Sequence, residues 1–75
     1  MSPDTFNIDV ILLAIKHGRE LNFRYAKADG KSVEDRALLP ADLDLDSGLM
    51  SGHDPDRDAP RQYRLDRILG DIELL

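Results

Sequence analysis

Cysteine is absent from the 75 residues and histidine occurs only twice, so the disulfides and metal clips that staple many small domains are not available. A chain of this length reads as one domain, residues 1–75, and buries only roughly 60–65% of the surface its unfolded form exposes. Self-association is therefore expected to supplement a thin core. Long apolar runs are missing too. The longest, Val10 to Ile15, falls far short of the about 20 residues that span a bilayer. The start, Met1-Ser2-Pro3-Asp4, lacks the basic region of a secretory signal. These absences predict a cytoplasmic protein with no membrane contact; the lack of cysteine itself fits any redox compartment.

Glycines are scattered singly at turns, so neither a Walker loop nor a dinucleotide-binding loop is present. The run Asp54-Pro55-Asp56-Arg57-Asp58 opens like a calcium loop, with oxygen ligands at alternate positions. The pattern then fails, because Ala59 stands where the wrap needs glycine and Leu65 where it needs a bidentate glutamate. A start at Asp42 fails in the same way, with Ser47 and His53 at those positions. No spacing of Ser32, Ser47 or Ser51 with His17 or His53 resembles a nucleophile elbow. The chain therefore reads as a non-enzyme with no cofactor and no metal.

Fifteen acidic residues against ten basic ones give a net charge of −5, the wrong sign for holding duplex nucleic acid by bulk phosphate neutralisation. The charge is uneven. Glu34, Asp35, Asp42, Asp44, Asp46, Asp54, Asp56 and Asp58 share their stretch with only Arg36 and Arg57, whereas Arg61 to Arg67 holds three arginines and one acid. A basic island on an acidic body follows.

Ile8, Ile11, Leu12 and Ile15 fall at i, i+3, i+4 and i+7, predicting a helix over about 8–17 with Asn7 as N-cap, Phe6 stapled onto Ile11 and Gly18 at the C-terminal end. From about residue 20 the period is two. Leu21, Phe23 and Tyr25 form one face of a strand, Asp29-Gly30 a tight hairpin turn, and Ser32 to Leu39 a second strand that Pro40 ends, bends or marks as an edge. Leu43 and Leu45 suggest a third short strand, Ser47-Gly48 a turn into Leu49-Met50-Ser51, and residues 52–60 a polar, mobile loop. Tyr63 and Leu65 alternate in a further strand, Gly70-Asp71 turns, and Ile72 to Leu75 closes the sheet. One helix and about five antiparallel strands predict a mainly β domain, a small Sm-like or SH3-like barrel in which closure removes exposed edges.

On a continuous strand Arg61 and Arg67 would share the face of Tyr63 and Leu65, with Arg64 on the other. Arginine is seldom buried unless it is paired or receives an anion, and its planar fork fits phosphate or carboxylate. Pairing with Asp66 or another strand acid is the alternative reading. Tyr25, Arg36 and His53 join the same site only if the strand ends converge; singly they read as a core tyrosine, a surface arginine and a loop histidine.

The order of these features, Ala14-Ile15-Lys16-His17-Gly18-Arg19-Glu20-Leu21, Phe23-Arg24-Tyr25, Arg36-Ala37-Leu38-Leu39-Pro40, Gly52-His53-Asp54 and above all Arg61-Gln62-Tyr63-Arg64-Leu65-Asp66-Arg67-Ile68, resembles the WYL domain family. The resemblance implies an Sm-like barrel serving as a ligand-sensing module in bacterial transcription regulation or in CRISPR and phage defence. It also implies a basic pocket for a nucleotide or single-stranded nucleic acid, drawn from Tyr25, Arg36, His53, Arg61 and Arg64, with Arg67 and Asp66 nearby. Two features depart from the family. The name-giving Trp-Tyr-Leu aligns on Gly48-Leu49-Met50, which removes two stacking rings, and the helix-turn-helix domain usual in family regulators does not fit in this length. Duplex DNA binding by the chain alone is therefore not expected, and a homo-oligomer or a larger regulatory partner should deliver the output. The competing reading is a protein–protein assembly module whose arginines are structural.

Overall fold

The helical period and the alternating runs fold into α1 (Thr5–His17), β1 (Leu21–Ala26), β2 (Val33–Asp44), β3 (Leu49–Asp54), β4 (Ala59–Arg64), a 3-10 turn (Leu65–Arg67) and β5 (Ile68–Leu74). The computed structural model describes residues 5–75, so the reading of Met1-Ser2-Pro3-Asp4 lies outside the described residues. The strands form one antiparallel sheet in the order β4-β3-β2-β1-β5. The domain is mainly β with one helix. Among the described residues no ladder joins the edge strands β4 and β5. A side chain spans part of the opening instead: the Arg64 backbone N–H at the end of β4 donates to the Tyr25 hydroxyl on β1 at 2.9 Å. No helix among the described residues is long and apolar enough to cross a membrane.

Pro40 does not divide two strands. β2 runs through it, and a register shift between Pro40 and Asp42 marks a bulge there. Ala41 is the residue left outside the ladder, and Pro40, opposite Gly52, stands beside that irregularity, a place where a residue without an N–H is tolerated. The first half of β2 pairs with β1 (Leu21 opposite Leu38, Phe23 opposite Arg36) and the second half with β3 (Leu43 opposite Met50). One strand thus serves both halves of the sheet.

The acidic stretches that alternation assigns to wet faces turn out to build the hairpin loops. Asp29 Oδ1 accepts the N–H groups of Lys31 and Ser32, Asp44 Oδ1 those of Asp46 and Ser47, and Asp54 Oδ1 those of Asp56 and Arg57. Each carboxylate replaces the missing backbone acceptor of a turn. Residues 52–60 are therefore not a loop of their own. Asp54 and Ala59 pair at the end of a β3–β4 hairpin with a four-residue turn. The Asp29-Gly30 turn is also longer than a tight two-residue hairpin: Lys27 N–H donates to the Ser32 carbonyl across it, and of the two named residues only Gly30 has positive φ.

The helix buries a different stripe from the one its large residues suggest. Asn7, Val10, Ile11 and Ala14 face the core, while Leu12 is 49% exposed. The 7, 10, 11, 14 spacing is equally helical, but it places a polar residue inward. Asn7 is no N-cap, since it lies within the helix. Its Nδ2 donates to the Gly70 carbonyl at 2.8 Å and its Oδ1 accepts the Ile72 N–H at 2.8 Å. Gly70 has φ +72 within β5, and the β1–β5 register shifts between Asn22 and Arg24. The bulge leaves backbone groups off the ladder, and Asn7 satisfies them. β5 is accordingly a single strand with a bulge at Gly70, in place of a turn followed by a new strand. The core under α1 is Leu21, Phe23, Leu38, Met50, Tyr63 and Ile72.

Candidate anion-binding site

Strand alternation decides which polar residues face inward. On β1 Phe23 and Tyr25 share the core face; β2 adds Glu34 and Arg36 opposite them, β3 adds Gly52 and Asp54, and β4 adds Arg61 and Tyr63. Three rings stack edge to face beneath this layer, Phe23–Tyr63 at 5.1 Å and Tyr25–Tyr63 at 4.8 Å between centroids.

Asp54 is the hub. Its side chain is 4% exposed, yet it carries a charge that must be compensated. Oδ1 holds the turn, and Oδ2 lies 3.9 Å from both Arg57 Nη1 and Arg61 Nε. At that distance the two guanidinium groups are drawn to Asp54 without forming close hydrogen bonds, which leaves their forks free for another acceptor. Arg36 pairs with Glu34, which Lys27 also contacts at 2.9 Å. The Tyr63 hydroxyl beneath is the buried side-chain polar atom without a partner among the described residues. Burial and then the Asp54 charge push its pKa up, while Arg36, Arg61 and Arg57 oppose that shift. The same four charges therefore act on one buried phenol.

The residues singled out in the sequence are divided between two faces. Arg36 and Arg61 lie on the inner face with Tyr25, whose hydroxyl is occupied by the Arg64 N–H. Arg64 points to the other face and makes a two-pronged contact with Asp66, Nε–Oδ1 at 3.1 Å and Nη2–Oδ2 at 2.9 Å. His53 also faces outward, with Nε2 2.9 Å from Asp58. Arg67 sits in the 3-10 turn, so the strand reading that placed it on the Arg61 face does not apply. Arg57 was missed by sequence reading because an arginine among aspartates in a polar stretch looks like a solvated loop residue; spacing to Asp54 in a turn is the signal that marks it.

Several carboxyls outside the core are held below their usual range: Asp29 by the Lys31 and Ser32 amides, Glu34 by its hydrogen bond to Lys27, and Asp66 by that to Arg64. A depressed folded-state pKa contributes stability above the unfolded value that is lost as pH falls through it. The urea midpoint is expected to be higher at pH 6 than at pH 3, by a small margin because all three groups meet solvent. An unchanged midpoint would contradict these pairings.

The WYL domain model matches residues 7–73. This chain belongs to the WYL domain family. Among curated proteins, none matches it. Among solved structures, the Proteasome accessory factor B/C (PafBC) of Arthrobacter aurescens is similar at TM-score 0.79 and 24% identity, with the match covering 100% of this chain and 12% of that one. That similarity shows the fold, and this WYL domain spans a small part of the length of its structural neighbour. Of the three residues on which the resemblance aligns the family's Trp-Tyr-Leu, Gly48 adopts φ +70 in the β2–β3 turn and Met50 is fully buried.

Proposed function

We propose that this WYL domain is a non-enzymatic regulatory module that captures an anionic ligand, a nucleotide or a short single-stranded nucleic acid, and acts with a partner in transcription regulation or phage defence. The observation that carries the reading is the pair Arg57 and Arg61 beside the buried Asp54, together with Arg36, which pairs with Glu34 and acts with them on the partnerless Tyr63 hydroxyl. The Arg57 and Arg61 forks, held loosely by an internal carboxylate, are poised for an incoming phosphate, and Arg36 can add the nitrogens that Glu34 leaves unused. Membership of the family supports the regulatory half of the proposal. Of the residues first singled out, Arg36 and Arg61 then bind ligand, Tyr25 supports them through Tyr63, and Arg64, His53 and Arg67 lie off the site.

A low-salt fluorescence titration with a labelled single-stranded oligonucleotide and with nucleotides tests this. Arg36→Ala and Arg61→Ala are each expected to weaken binding about tenfold, the size of one charge-assisted hydrogen bond. Arg64→Ala should change it little. Asp54→Asn keeps an oxygen for the turn amides and removes the competing charge, so binding should tighten severalfold. No binding, or binding indifferent to Arg36 and Arg61, sinks the proposal.

The assembly reading has one observation of its own, an apolar groove of about 440 Å³ between α1 and the 3-10 turn, lined by Ile8, Leu45, Leu65 and Ile68. A tight oligomer by light scattering, together with flat ligand titrations, would favour it over capture of an anion.

A further inference from the structure

We infer that the anion taken by this site is a phosphomonoester, as on a mononucleotide or the phosphorylated end of a strand, and not an internal phosphodiester of a continuous strand. This rests on the anion-binding reading above. Two observations support it, one on the charge within the site and one on the ground beside it.

Within the site, Lys27 and Arg36 face Glu34 while Arg57 and Arg61 face Asp54, and the two clusters adjoin, since Arg57 also acts on Glu34 and Arg36 on the Tyr63 hydroxyl; together they hold a surplus of two positive charges. A phosphomonoester carries about −1.5 to −2 at pH 7 and offers three acceptor oxygens. A phosphodiester carries one charge and two free oxygens. Two loosely held forks, Arg57 and Arg61, and the free nitrogens of Arg36, whose contact with Glu34 is through one nitrogen, come from three separate elements and match three oxygens of a single group. The match is to charge concentrated at a point.

Beside the site, the ground is unfavourable to a strand. The open groove that continues past Arg36, about 860 Å³, is lined by Asp35, Asp56, Asp71 and Glu73 against Arg24 and Arg36 itself. A backbone tracking that groove would set successive phosphates against carboxylates. Like charges brought that close oppose binding, and the net charge of −5 adds to the repulsion. A ligand that ends at the arginines avoids this cost, and its uncharged sugar and base can lie over the groove.

The test compares adenosine 5′-monophosphate with its 3′,5′-cyclic form, which keep the same base and sugar and differ in monoester against diester. An oligonucleotide with and without a 5′-phosphate, and inorganic phosphate alone, complete the set. The monoester is expected to bind at least about tenfold tighter than the cyclic diester, and the 5′-phosphate to confer a similar gain on the oligonucleotide. Arg57→Gln, in a solvent-facing turn, should erase most of that gain while the folded domain persists with only a small drop in melting temperature, since Arg61 still faces Asp54. Equal or tighter binding of the cyclic or unphosphorylated ligand, still dependent on Arg61, overturns the monoester inference and leaves the anion-binding site standing. If no probe binds, inorganic phosphate included, both fall.

Discussion

Gly52→Ala is expected to cost about 3 kcal/mol or more, because a Cβ built at this position lies 2.2 Å from the Leu39 carbonyl oxygen and 2.7 Å from the Pro40 Cα. Both obstacles are backbone, so no rotamer change can relieve them. The close approach is made where the β2 bulge brings Pro40 opposite Gly52. A domain of this length has roughly 4–11 kcal/mol of stability in total, so the melting temperature should fall by about 12 °C or more. Gly48→Ala is the informative control. Gly48 has φ +70 but nothing within 4 Å of an added Cβ, so its cost is conformational alone, about 1–2 kcal/mol. Because Gly52 pairs directly with Arg61, Gly52→Ala should also displace Arg61 and weaken anion binding. A Gly52→Ala variant that melts within a degree or two of wild type would show that the two strands are not packed this closely.

Asn7→Ala should cost about 2 kcal/mol, the second large effect. It removes both hydrogen bonds to the β5 bulge and leaves the buried Ile72 N–H without an acceptor. The loss of roughly 2–3 kcal/mol is offset by the roughly 0.5 kcal/mol that alanine gains over asparagine within a helix. The melting temperature should drop by about 8–16 °C. Hydrogen exchange gives the sharper readout, since the Ile72 amide should lose protection more than the amides of the β3–β4 hairpin. If both regions lose protection equally, Asn7 acts on global stability without serving as the latch between α1 and β5.

Much of the fold was legible because it depends on local rules. The change of period from helical to alternating at Leu21, the glycine ending of α1 at Gly18, where the Arg19 N–H donates back to the Ala14 carbonyl, and the β2–β3 turn at Gly48 are all settled within a few residues. Where reading failed, the deciding partner was remote. Asn7 looks like a cap by spacing, but its two partners lie on β5, more than sixty positions away. Pro40 reads as a strand end, an edge or a bend, and only its pairing with Gly52 on β3 selects a bulged bend within one strand. Asp54 to Asp58 looks like solvent-loving loop, but an Asp54 carboxylate with two turn amides to accept makes a hairpin of it.

For the candidate site the division is similar. Composition placed a basic island at Arg61 to Arg67, and the 3-10 turn at Leu65–Arg67 then broke the alternation on which a shared face for Arg61 and Arg67 depended. Arg64 spends its fork on Asp66, two positions on, a pairing that short spacing makes easy to foresee. Arg57 enters the cluster only because the hairpin folds it back toward Asp54.

The sequence by itself determined the class of this protein: a helix, five alternating strands, turn residues between them, and arginines available for an anion. Those properties follow from periodicity and backbone preference, which act over a few residues. Only the tertiary structure decided which arginines face one another, because a side chain's face depends on every bulge and turn before it, and one inserted residue reverses the alternation. It likewise decided that Asp54 is buried among them, since burial is set by packing against strands distant in the chain.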